Sequence, residues 1–106
     1  MEAIILIGIQ GSGKTTFYRE RFFDTHVRLS LDTVKTRRRE LLLVEACVRA
    51  GQRFVVDNTN VLREERTLYI ARAREGGFRV HGYFFEPQVE QAIAWNEGAA
   101  ERRGFQ

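Results

Sequence analysis

A chain of 106 residues with 43% hydrophobic and 29% charged positions has the size and make-up of one globular domain around a single core. It contains no repeat, no low-complexity tract and no apolar run of membrane-spanning length, which excludes solenoid, disordered and membrane-spanning classes. Its formal charge of +3 rests on fifteen arginines and only two lysines, a balance that suits phosphorylated partners through bidentate guanidinium contacts and equally describes a solvated basic surface.

The apolar run Ala3 to Ile7 reads as a buried parallel strand, and Thr16 to Phe23 as the first helix. Thr25 to Ser30 alternates, with Val27 and Leu29 on one side, and reads as a second strand. From Asp32 the spacing of Val34, Leu41, Val44 and Val48 predicts one long helix that ends at Gly51. Arg53 to Asp57 is a third strand. Asn60 then caps a helix over about Val61 to Glu75, which Gly76 and Gly77 stop. Phe78 to Glu86 supplies a fourth strand, and Pro87 opens a last helix containing Val89, Ala92 and Ile93. Alternating strands and helices predict an α/β domain over residues 1–106: a parallel sheet of about four strands with helices on both faces, in three α/β/α layers. Cys47, the only cysteine, reads as core filler in a reducing cytoplasm, and the short apolar start behind Glu2 does not read as a signal peptide.

Between the first strand and helix lies Gly8-Ile9-Gln10-Gly11-Ser12-Gly13-Lys14-Thr15, a glycine, four free positions, then Gly-Lys-Thr. In that setting the glycines let successive N–H groups curl round phosphate oxygens at a helix N-terminus. The residues expected to hold a nucleoside triphosphate are Gly8, Gln10, Gly11, Ser12, Gly13, Lys14, Thr15 and Thr16. Lys14 would reach the β/γ-phosphates, and Thr15 would offer its hydroxyl to Mg²⁺. No Gly-x-Gly-x-x-Gly dinucleotide fingerprint can be laid over the same stretch. This is the loop of the phosphate-loop NTPase fold.

Two carboxylates fall at the C-terminal ends of strands, where ligands of open α/β sheets gather. Asp57 follows Phe54-Val55-Val56 and is placed to orient Mg²⁺ or its water shell. Asp32 follows the second strand and reads two ways, as a general base over the loop or as the N-cap of the next helix. Arg37, Arg38 and Arg39 read either as a solvated face or as a contact for a phosphate-bearing acceptor.

Taken together, Gly8 to Thr16, Leu29-Ser30-Leu31-Asp32-Thr33 and Val55-Val56-Asp57-Asn58-Thr59-Asn60 resemble the polynucleotide 5′-hydroxyl kinase family, and the resemblance covers most of the chain. It implies an ATP- and Mg²⁺-dependent kinase that moves the γ-phosphoryl to the 5′-OH of a nucleic acid or to a nucleotide-like acceptor. It also implies Asp32 as the base and Lys35 as a residue facing the acceptor phosphate. Members of that family continue into an arginine-bearing lid and a final strand and helix. This sequence ends where they would begin, with Arg102 and Arg103 the nearest substitutes and Trp95 reading as packing. Two alternatives stay open: a kinase of a small metabolite or sugar nucleotide, and a nucleotide-binding module without turnover that forms a homodimer through a bare sheet edge.

Overall fold

The computed structural model describes residues 1–9, 11–60 and 62–85, together with the backbone of 93–96. Its elements are β1 (Glu2–Ile7), α1 (Lys14–Arg21), β2 (Val27–Leu29), α2 (Leu31–Val34), α3 (Arg37–Ala50), β3 (Phe54–Asp57), α4 (Arg63–Glu75), β4 (Arg79–Phe84) and β5 (Ile93–Asn96). The sheet runs β2-β3-β1-β4-β5. Its first four strands are parallel and β5 lies antiparallel to β4.

β1 is central because every residue from Ala3 to Ile7 is apolar, so both faces of the strand can be covered. The pairing Ala3↔Phe54 and Ile5↔Val56 sets these side chains on one face. There they join Val44, Cys47 and Val48 of α3 and Tyr69 and Ala73 of α4. Ile4, Leu6 and Val55 point the other way, onto Tyr18 of α1 and the Phe22 that follows it. Each such fully buried aliphatic side chain is worth roughly 1.5–3 kcal/mol relative to exposure. Two apolar faces on one sheet give the three layers expected. Cys47 is buried in the α3 layer, as core filler should be.

Several boundaries differ from expectation. α1 starts at Lys14, inside the glycine motif. The long second helix is two helices: Lys35 turns to φ 76°, and the Thr36 side chain accepts from Arg39 N–H to start α3 afresh. Asn60 caps nothing. It is buried with φ 51°, and its Nδ2 donates to Leu6 O at 2.8 Å. Helix α4 begins after Leu62, whose N–H donates to the Glu65 carboxylate at 3.3 Å. Ile93, expected in a last helix, opens strand β5, and the rest of that expected helix, Pro87 to Ala92, lies outside the described residues. Strand β5 pairs along His81 to Phe84, so β4 is not a bare edge, and among the described residues the sheet's outer strands are β2 and β5. Among the described residues no helix is long and apolar enough to cross a membrane.

Candidate active site

Parallel strands release β1, β2 and β3 at the same rim, and the glycine motif, α2 and the residues after Asp57 meet there. The chain leaves β1 at Gly8, whose N–H donates to Thr59 O at 2.9 Å. A Cβ on Gly8 would stand 2.8 Å from Phe85 O, so the approach of loop to β4 admits only glycine. At Gly13, φ 97° swings the chain into α1, whose N-terminus has no side-chain cap and no acidic residue in its first turn. Its free N–H groups and positive dipole end are left to an anion. Ser12 Oγ is buried without a hydrogen-bond partner among the described residues, a donor waiting for an acceptor.

Lys14 is buried, and its ammonium donates to Gly8 O and, at 3.0 Å, to Asn58 O. It stands 4.0 Å from Asp57 Oδ1. Burial pulls its pKa below the ordinary lysine value, opposed by the charges of Asp57 and Asp32 and aided by Arg28. Asp57 Oδ2 in turn accepts from Arg28 Nε of β2 at 2.8 Å. Arg28 is a member of the site that the sequence does not single out. Its only signal there is a cation at the alternating position between Val27 and Leu29.

A cleft of about 610 Å³ opens over this rim, lined among others by Gly13, Lys14, Thr15, Arg28, Asp32 and Asp57. Gly11 and Thr16 also line it, while Gln10 lies outside the described residues. Asp32 is exposed in the cleft, and its carboxylate carries no intramolecular hydrogen bond among the described residues. It is not the helix cap. That place belongs to Ser30, whose hydroxyl accepts from Asp32 N–H at 3.2 Å. Lys35 is exposed at the C-terminus of α2 and is not among the residues lining the cleft. Of the three arginines that follow, Arg37 is consumed internally, donating to Glu65 Oε2 at 2.8 Å and Glu40 Oε1 at 3.2 Å.

No protein-family model matches the chain. Solved structures do. The APS kinase CysC of Mycobacterium tuberculosis, in complex with AMPPNP and APS, is similar with a TM-score of 0.52 at 14% identity, over 78% of this chain and 61% of that one. A cysteine-to-alanine mutant of CysC gives a TM-score of 0.51 at 14% identity, over 78% of this chain and 73% of that one. The chain shares the α/β fold of these structures. At this identity the likeness is one of fold, and the chain spans less than two thirds of the first CysC chain. Within that fold the donor set is suited to a triphosphate: uncapped N–H groups at α1, the orphaned Ser12 hydroxyl and a buried ammonium. The Thr15 hydroxyl and the Asp57 carboxylate, both in the cleft, are the hard oxygen donors that Mg²⁺ prefers.

Proposed function

We propose that the protein is an ATP-dependent phosphotransferase that moves the γ-phosphoryl of ATP to a hydroxyl of a nucleotide-like acceptor, the 5′-OH end of a nucleic acid included. The observation that carries this reading is that Asp32, relieved of capping by Ser30, shares one cleft with Lys14 and Thr15. ATP and Mg²⁺ would supply the transferable phosphoryl and the charge to stabilise it in transfer, held by Gly8 to Thr16 and by Thr15 and Asp57. Lys14 would turn its ammonium from Gly8 O and Asn58 O towards the β/γ-phosphate oxygens. The bond between γ-phosphorus and the bridging oxygen breaks as the acceptor oxygen bonds to phosphorus, and ADP leaves. Asp32 takes the hydroxyl proton and passes it to water. Little else is required of the protein in such a transfer beyond positioning and electrostatics.

The ordered motifs around Lys14, Asp32 and Asp57 support a 5′-OH end, and the APS held in the CysC complex supports a small nucleotide. The test is ADP formation from ATP and Mg²⁺ with a panel of acceptors: 5′-hydroxyl oligonucleotides, mononucleotides, sugar nucleotides and simple alcohols. Acceptor-dependent ADP with a phosphorylated product is expected. Tight ATP binding with no ADP from any acceptor would overturn transfer and leave a nucleotide-binding module.

A further inference from the structure

Asn58, the residue after Asp57, is bonded to both halves of the cleft. Its backbone oxygen accepts from Lys14 Nζ at 3.0 Å. Its side-chain Oδ1 accepts from Leu31 N–H, the first residue of α2, at 2.8 Å. Its Nδ2 donates to Glu40 Oε2 of α3 at 2.7 Å. Glu40 is fully buried, and its other oxygen is taken by Tyr69 OH and Arg37. An ionised carboxylate only accepts, so it fixes which end of the amide it faces and turns Oδ1 towards α2.

A helix of four residues has almost no stability of its own. α2 is held at its start by two side chains, Ser30 on the Asp32 N–H and Asn58 on the Leu31 N–H. At its end it runs into the positive φ of Lys35. Asp32 rides on this turn. Where α2 sits therefore decides where the Asp32 carboxylate sits relative to Lys14.

We propose that Asn58 is a positioning residue that sets the base on α2 against the phosphate-binding lysine, with Glu40 holding its amide in register. This deepens the transfer reading and rests on it for its kinetic arm. Asn58→Ala keeps the backbone oxygen that receives Lys14, so ATP affinity by calorimetry should stay within about threefold. Acceptor-dependent turnover should fall about 10²-fold, the loss expected when a reacting group is displaced by about an ångström. In an Asp32→Asn background the same substitution should cost no more than about twofold, because both act through one carboxylate. Additive losses would overturn the proposal, since a general structural defect would act with or without the base.

Amide hydrogen exchange gives an arm that needs no activity. In Asn58→Ala, Leu31 N–H should exchange about tenfold faster, the ratio of roughly one lost hydrogen bond, while Val44 and Val48 of α3 stay protected. Unchanged protection of Leu31 would overturn the clamp even if turnover fell. If Asn58→Ala does not fold, Glu40→Gln, which keeps side-chain volume, should show the same exchange pattern and the same dependence on Asp32. A parent protein that transfers to no acceptor removes the function proposed above, and the exchange arm still decides whether Asn58 holds α2.

Discussion

Replacing Lys14 by Met keeps most of the aliphatic stem and removes the charge, so it separates ligand binding from packing. ATP affinity should fall by about 10²-fold or more by calorimetry, the loss of a charge-assisted contact in a water-poor site. Folding should suffer less, by about 1–3 kcal/mol, because Gly8 O and Asn58 O lose their donor while Asp57 keeps Arg28. Equal ATP affinity in a folded Lys14→Met would contradict the phosphate assignment. Lys35 poses a different question at the same scale. A non-glycine residue at φ 76° is strained, at a cost of order 1–3 kcal/mol, of which glycine's extra chain entropy returns about 0.5–1. Lys35→Gly should raise stability by about 0–2.5 kcal/mol in urea unfolding. Unchanged turnover in that variant would keep Lys35 out of catalysis, and a drop confined to phosphate-bearing acceptors would put it there.

Among the elements, α3 and α4 are locked together by Glu40, Tyr69, Arg37 and Glu65, and Glu45 adds a contact with Arg72. Glu40→Ala would leave buried donors unanswered and should cost about 3 kcal/mol or more. Burial pushes the Glu40 carboxyl up from its ordinary value of 4.5, against the pull of Asn58 and Arg37. The native chain then holds that proton to higher pH than the unfolded chain, so this group makes stability fall as pH rises from 4.5 through its raised value. Glu40→Gln should flatten that fall in urea unfolding measured across the window. A steeper fall in the variant would mean that Glu40 acts with the opposite sign. The strands are legible in the sequence because Ala3 to Ile7 and Phe54 to Val56 are unbroken apolar runs. The break between α2 and α3 is not, because Val34, Leu41, Val44 and Val48 keep helical spacing across it and no glycine marks Lys35. Thr36 ahead of the arginines is the one available sign. Asn60 misleads because Asn is a common cap, and only the tertiary fold shows it spent on Leu6 O.

For the molecule as a whole, the sheet order brings the ends of β1, β2 and β3 to one rim, an arrangement that chain order alone does not fix. The phosphate motif and Asp57 can be placed at that rim from sequence. Asn58 falls there with Asp57, but Arg28 and Glu40 cannot be joined to it, since the bonds of Arg28 to Asp57 and of Glu40 to Asn58 cross 29 and 18 residues of chain. A ligand that binds only the folded form stabilises it by about 2.7 kcal/mol at a hundred times its dissociation constant. ATP with Mg²⁺ should therefore raise the melting temperature of the parent in a concentration-dependent way, and Lys14→Met should need about 10²-fold more ATP, or still more, for the same shift.

If one cleft both binds ATP and carries a base for an acceptor hydroxyl, Asp32→Asn should remove the second function and spare the first. Ser30, not Asp32, caps α2, and Asn keeps the shape of Asp, so melting temperature and ATP affinity should hardly change. Acceptor-dependent phosphoryl transfer, followed as phosphorylated product, should fall by about 10² to 10⁴. Transfer by Asp32→Asn at the parent rate would mean that Asp32 is not the base.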